Sequence, residues 1–460
     1  MKKIILSLIT LSLFTFSSCN EEFLEYEPSN SSAVGENTIT NEQQLTGALL
    51  GVYDALQSNN AYGNYYISAN EMLSDNGFVM LSNSNRLMDF YRYTHAISNG
   101  GSISNMWTIG YRAIARANFV ISFDGKVTGS SVAGSIAEAR ALRALTLFNL
   151  VNFYARPYGT INQDLGIPLP KAFETDLQIG RSSVGEVYDE IISELLLAAN
   201  NIQNTTNTRL NIDAINGLLS RVYLYKKDYA KSIEYADKVL ANRSLITKEN
   251  VVNYYKEPTQ NNGETLFAID FNALDNPGAN DAIGATWSIG GRYEDTAATS
   301  EFYNLISSTD IRKDLYLFRN DTNDNPKPYM VKKFGSDDQD VVVIRTTEVL
   351  LNKIEALYYT NPTSALTELN NWVTAYRDAS YSFTGTGQAL LDEILKQRRI
   401  ELAFEGHRYF DMNRYSQRIV RGQNCTENCD IPFDDFRRVF PIPLNEMNTN
   451  RLMVQNPQYN

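Results

Sequence analysis

The chain has 460 residues, of which 43% are apolar, 20% charged and 11% aromatic, and 41 Lys and Arg stand against 53 Asp and Glu for a formal charge of −12. This is a globular composition with material for one large core or two ordinary ones, not a disordered, collagenous or disulfide-dense chain. The acidity argues against a nucleic-acid partner, and two histidines, His95 and His407, nearly exclude an HExxH zinc hydrolase and leave little room for a catalytic triad.

Lys2 and Lys3 precede an apolar run, Ile4 to Phe16, which ends in Ser17, Ser18 and Cys19. Residues 1–18 therefore read as a secretory signal, too short to span a membrane. A Cys directly after two small residues fits a bacterial lipoprotein site at which Cys19 becomes the acylated N-terminus; the alternative is an ordinary cut near Ser18. Acyl chains hold a domain at a bilayer through burial of about 0.8 kcal/mol per methylene. No later stretch reaches eighteen uninterrupted apolar residues.

Helical periodicity dominates the rest. Leu45, Leu49, Val52 and Leu56 form one stripe, with Thr40 and Gln43 placed for a capping box. Ala141, Ala144, Leu145 and Phe148 form another, and Val184 to Leu195 and Ile215 to Tyr223 follow the helical spacing. Two helix pairs, 212–242 and 346–377, have the length, turn and apolar alternation of tetratricopeptide hairpins, units that must stack to bury both faces. The predicted fold class is mostly α: tetratricopeptide-like hairpins forming a scaffold with long irregular ligand-binding loops. The predicted division is 19–205 and 206–460, two halves of one structural unit. Strand signals are confined to Thr265–Phe271 and Tyr329–Phe334.

Residues 53–93 hold eight aromatics, and 57–85 hold seven Asn and five Ser. Aromatic faces with short polar side chains on loops suit the capture of a sugar or peptide. Tyr62, Tyr65 and Tyr66 are candidates from this interval, whereas Tyr53 and Tyr93 read as core. A second candidate platform is Trp287 with Tyr293, set between glycines at 284, 290 and 291. The segments at 320–325 and 337–340 are rich in Asp and could hold a structural Ca²⁺; no other cofactor or metal is expected. Cys425 and Cys429 suit a short-loop disulfide outside the cytoplasm. The cluster Glu401, Glu405, His407, Arg408 and Asp411 could do acid–base chemistry. At helical spacing, though, Arg398 can meet Glu401 and Arg408 can meet Glu405, so an ion network is the expectation, and no catalytic residue is assigned.

Several segments resemble the SusD/RagB family of outer-membrane nutrient-binding lipoproteins. They are the mature start CNEEFLEYEP (19–28), AEARALRALTLFNLVNFYARPYGTI (137–161), IRTTEVLLNKIEALYY (344–359), RRIELAFEGHRYFDMNR (398–414), FPIPLNEMNTN (440–450) and NPQY (456–459), in family order. EMLSDNGF (71–78) resembles the family's Ser-Asp turn, which adds Asp75 and Asn76 to the ligand candidates. The resemblance implies tetratricopeptide-like helix pairs under an irregular ligand-binding portion. It also implies an outward-facing, lipid-anchored outer-membrane protein that captures oligosaccharide and delivers it to a SusC-like TonB-dependent barrel. A peptide ligand is the alternative; a surface glycoside hydrolase using Glu401 or Glu405, or a pure assembly protein, are rival readings.

Overall fold

In a computed structural model, which describes residues 38–98, 100–173 and 178–459, helices supply the frame. Residues 1–18 and Cys19 lie outside the described residues. Asn41–Asn460 forms one compact unit. Its first helix, α1 (Glu42–Gln57), starts one residue later than the capping-box reading: Asn41, not Thr40, is the cap, its Oδ1 accepting from the Gln44 N–H at 2.9 Å. The succession continues with α2 (Tyr65–Met72), α3 (Ser102–Ile121), α4 (Val132–Tyr154) and α5 (Val184–Ala199). After these come α6 (Ile212–Tyr225), α7 (Tyr229–Leu240), α8 (Thr346–Thr360), α9 (Pro362–Tyr376), α10 (Gln388–Leu402) and α11 (Arg408–Arg414).

Each scaffold helix packs on the next, α1 on α3, α3 on α4, and so on through α8, which also meets α9 and α10. Helix α4 is buried around nearly its whole circumference, and the charges it buries are paired, Glu138 with Arg209 and Arg143 with Glu190. Helix α5 begins with a full capping box, Ser183 with Glu186. The pairs α6–α7 and α8–α9 stand where periodicity puts them, with Asn361 capping and Pro362 opening α9. Leu350, Ile354, Leu369, Trp372, Ile394 and Leu402 share one core, against which Ile233 and Leu240 of α7 pack.

The strands are short and belong to the insertions. The candidate at 265–271 forms β2 (Thr265–Ile269), antiparallel to β6 (Val341–Arg345). This pair lies on α6 at Gly217, where an added Cβ would stand 2.8 Å from Ile344 Cδ1. The candidate at 329–334 forms β5 (Tyr329–Val331) in a four-stranded antiparallel sheet with β1 (Gly77–Val79), β3 (Thr296–Ala298) and β4 (Tyr316–Phe318), in the order β1-β3-β5-β4. Strands β7 (Ile419–Val420) and β8 (Asp430–Ile431) pair across the loop that contains the Cys425–Cys429 disulfide.

The charged cluster near the C-terminus is buried and paired, but not with the partners that helical spacing offers. Glu401, 4% exposed, accepts from Arg377 at 2.7 and 2.8 Å, Arg345 at 2.9 Å and Arg312 at 3.3 Å. Arg345 reaches Glu405 at 2.6 Å and Glu264 at 2.9 Å, and Lys333 also pairs with Glu405. Arg398 turns instead to Asp411 at 2.8 Å, and Arg408 to Asp75 at 2.7 Å. The local pairs Arg398–Glu401 and Arg408–Glu405 are thus replaced by long-range ones, because a helix end wedged among four elements offers each charge a better partner outside its own helix. Gly406, at φ +83°, and Phe404, at φ +64°, turn the chain sharply after α10 and aim Glu405 into the network. Burial would raise Glu401, but Arg377 and Arg345 outweigh it and hold its carboxyl well below the usual range. Against the same burial, Arg345 and Lys333 bring Glu405 down to about 2. His407 is pushed down to about 4 by burial, although Glu348 opposes the shift, so its ring is neutral at pH 7.

Two outcomes follow from this network. Glu401→Gln leaves three guanidiniums facing a neutral amide and is expected to cost roughly 3–5 kcal/mol in urea unfolding. Glu405 has a folded-state pKa below its unfolded value of 4.5. As the pH falls the unfolded chain therefore takes up the proton first, and the stability this group contributes, complete above about pH 4.5, drains away towards pH 2. Unfolding free energies measured between pH 6 and 2 check this; a flat profile contradicts it.

Candidate functional site

Strand β1 leads into a partly exposed turn, 80–87, whose backbone is fixed by two buried carboxylates. Asp295 Oδ1 accepts from the Ser84 N–H at 2.7 Å, its other oxygen accepts from the Ser84 hydroxyl, and its carbonyl accepts from the Met80 N–H at 2.8 Å. Asp324 Oδ1 accepts from the Leu81 N–H at 2.8 Å and from Asn424 Nδ2. Three non-glycine residues here, Asn85 (φ 63°), Leu87 (φ 61°) and Glu294 (φ 47°), hold left-handed conformations. That local cost is tolerated only where the surroundings over-determine the backbone, a pattern typical of ligand sites.

The held turn presents Arg86 to Tyr293. The guanidinium carbon stands 3.7 Å from the ring centroid, Nη2 donates to the tyrosine oxygen at 2.9 Å, and the hydroxyl donates to Asn280 Oδ1 at 2.6 Å. Asn83, Asn85 and Leu81, the last 59% exposed, share the turn with Arg86, and exposed Ile289 and Arg292 share the loop of Tyr293, the Arg292 guanidinium carbon 5.9 Å from its ring centroid. Arg319 joins Glu294 at 3.1 Å. The rim combines an aromatic edge, hydrogen-bond donors and acceptors, and apolar patches, on a backbone that does not need ordering when a ligand arrives.

The sequence candidates divide. Tyr293 stands at the centre of this rim. Tyr65 is half-buried, its ring edge-on to Phe90 at 5.7 Å. Trp287 is corrected: at 0% exposure, with Nε1 donating to Ser68 at 2.8 Å and the ring against Phe404 at 5.1 Å, it fills the core beneath the rim and offers no face to a ligand. Tyr62 and Tyr66 are corrected likewise, being buried edge-to-face on each other, with Tyr62 Oη accepting from Asn149 at 2.8 Å. Asn76 is buried between Glu71 at 3.1 Å and Arg399 at 2.8 Å. Asp75 is half-buried in the grip of Arg408 and Arg399, which bring it down to about 2 against the effect of burial.

The density of aromatics in 53–93 thus records the packing of a second core around α2 rather than a display of rings. Sequence reasoning missed Arg86, Asn280, Asp295 and Asp324. The Asn- and Ser-rich run ending at Asn85 marks the turn, but nothing in it identifies the distant aspartates that hold it. In the Asp-rich segments, Asp321 pairs with Arg319 at 2.7 Å, and Asp340 accepts from Thr259 at 2.6 Å and from the Phe271 N–H at 2.9 Å. Among the described residues no group of three or more His, Cys, Asp or Glu side chains is arranged to hold a metal ion.

This division gives a direct comparison. Trp287→Ala is expected to lower stability by about 3–5 kcal/mol, the usual loss for a buried large aromatic. Tyr293→Ala is expected to cost under about 1 kcal/mol. Urea titrations of the two variants check the ranking.

A family model described as starch-binding and associating with the outer membrane matches residues 22–224, and a SusD family model matches 288–459. SusD-like protein P2 of Formosa agariphila is 25% identical over the full length of both chains. A crystal structure described as a candidate sugar binding protein from Bacteroides vulgatus is 27% identical and covers 92% of this chain and 100% of its own, with a TM-score of 0.84. A SusD superfamily structure from Bacteroides thetaiotaomicron, 24% identical over 90% of this chain and 99% of its own, has a TM-score of 0.82 and supports the fold alone. Matched through both its halves and aligned end to end with such relatives, the chain belongs to the SusD/RagB family.

Proposed function

We infer that the protein captures oligosaccharide at the Tyr293–Arg86 rim, from an outer-membrane position anchored through acylated Cys19, and passes it to a SusC-like TonB-dependent barrel. One observation carries the binding part: a partly exposed tyrosine bound by an amide and by a guanidinium from a turn pinned by buried carboxylates. The starch-binding description of the matching family model and the sugar-binding description of the Bacteroides vulgatus relative support a glycan as cargo. Capture is favoured over cleavage by the state of Glu401 and Glu405. The carboxylates a hydrolase would use are buried, ionised and gripped by Arg and Lys, where neither can lend a proton to a leaving group. Among the described residues no helix is long and apolar enough to cross a membrane, which suits attachment by acyl chains.

The test is a glycan and peptide array probed with the mature chain and with the Arg86→Ala/Tyr293→Ala double variant. Expected is binding to a glycan class, weakened about tenfold or more in the double variant at unchanged melting temperature. Binding to peptides alone, or glycan binding indifferent to both changes, would overturn the reading. For the anchor, radiolabelled palmitate is expected to enter the wild type and not Cys19→Ala.

A further inference from the structure

Between β3 and the β7–β8 hairpin lies a second opening, a cavity of about 210 Å³ that Tyr293 does not line. Its walls are tied together. Gln423 accepts from the Ser300 N–H at 3.2 Å through Oε1 and donates to the Pro326 carbonyl at 2.6 Å through Nε2, so strand exit, proline loop and hairpin keep their spacing. Pro326 and Val420, the latter 55% exposed, give it an apolar side.

Three features set it apart from an ordinary packing gap. Arg421, 6% exposed, is held between the rings of Tyr91 and Tyr93 at 4.9 and 4.8 Å and donates to backbone carbonyls, yet makes no ion pair among the described residues, and its Nε has no partner. A buried guanidinium without a carboxylate is costly. Glu301, at the other side, is exposed and has neither a hydrogen bond nor an ion pair among the described residues. Gly422 lies between them. Its φ is not left-handed, so the backbone does not require glycine, and a Cβ there would meet only Glu301 Oε1, at 3.8 Å. The missing side chain keeps the space open.

The three charged residues of the lining restrict what can enter. An anion would face Glu301 and Asp75, the latter already paired to Arg399 and Arg408, and a cation would face Arg421. A neutral polyol fits such a lining: the free Glu301 carboxylate accepts from neighbouring hydroxyls, and the C–H face of a ring lies on Pro326 and Val420. At about 210 Å³ the cavity is smaller than pockets for drug-sized ligands, which run to about 300–1,000 Å³, and suits a single ring. We propose that this cavity takes the terminal ring of a neutral oligosaccharide, end-on, so that the protein reads a chain end here as well as a chain face at Tyr293. This rests on the glycan-capture reading above and adds a preference for free ends.

The experiment is saturation-transfer NMR on the mature chain with D-glucose, D-galactose, D-mannose and N-acetyl-D-glucosamine, each free and at millimolar concentration. At least one is expected to bind the wild type, to be lost in Gly422→Leu, which fills the cavity, and to bind about tenfold more weakly in Glu301→Gln. If no sugar binds, or binding survives both cavity changes, the proposal falls. If Tyr293→Ala alone removes binding, the ring sits on the rim; the cavity proposal then fails while glycan capture stands. Should Gly422→Leu not fold, Glu301→Gln decides, since an exposed side chain without partners does not carry the fold.

Discussion

The structure turns on one carboxylate held by three guanidiniums. Glu401 draws Arg312, Arg345 and Arg377 from three separate segments to the end of α10, and Arg345 carries the connection on to Glu405 and Glu264. Charges so deeply buried are tolerable only as a complete set. The set fixes where the last scaffold helix meets the β2–β6 pair, and from there Arg399 and Arg408 extend it to Asp75 at the foot of β1. The ligand-facing turn is therefore referenced to the helical frame through ionic contacts as well as through the apolar core that Trp287 and Phe404 fill beneath the rim.

Such a design suits a chain whose helices and loops have different tasks. The stacked helices need only apolar stripes and caps. The insertions between them are too irregular to form a core of the same kind. They are stiffened instead by carboxylates that accept backbone N–H groups, Asp295 and Asp324, and by the hairpin closed by Cys425–Cys429, whose Asn424 supplies a further donor to Asp324.

What was legible in the sequence follows the same division. Stripes such as Val184 to Leu195 and Ile215 to Tyr223 announce helices because period and burial are local properties, and the six family segments identify the frame they belong to. The pairing of Arg398 and Arg408 was not legible: spacing along one helix nominates Glu401 and Glu405, whereas the fold brings Asp411 and Asp75 closer. Nor can composition distinguish a ring that faces a ligand from one that fills a core. Trp287 and Tyr293 are six residues apart in a glycine-rich loop, yet only Tyr293 reaches the surface, because Ser68 and Phe404 enclose Trp287 from elements more than a hundred residues away on either side. Arg86 and Tyr293 meet across a similar distance in sequence.

The guanidinium of Arg86 already covers one side of the Tyr293 ring. A second guanidinium, that of Arg292, stands 5.9 Å from the same ring centroid, so whatever comes to the tyrosine meets only the part of the ring these two leave uncovered. A partly covered berth of this kind sets a short residence time for each unit of cargo, since dissociation breaks a small contact. For a protein that must give up what it holds, rapid release is as useful as a firm grip.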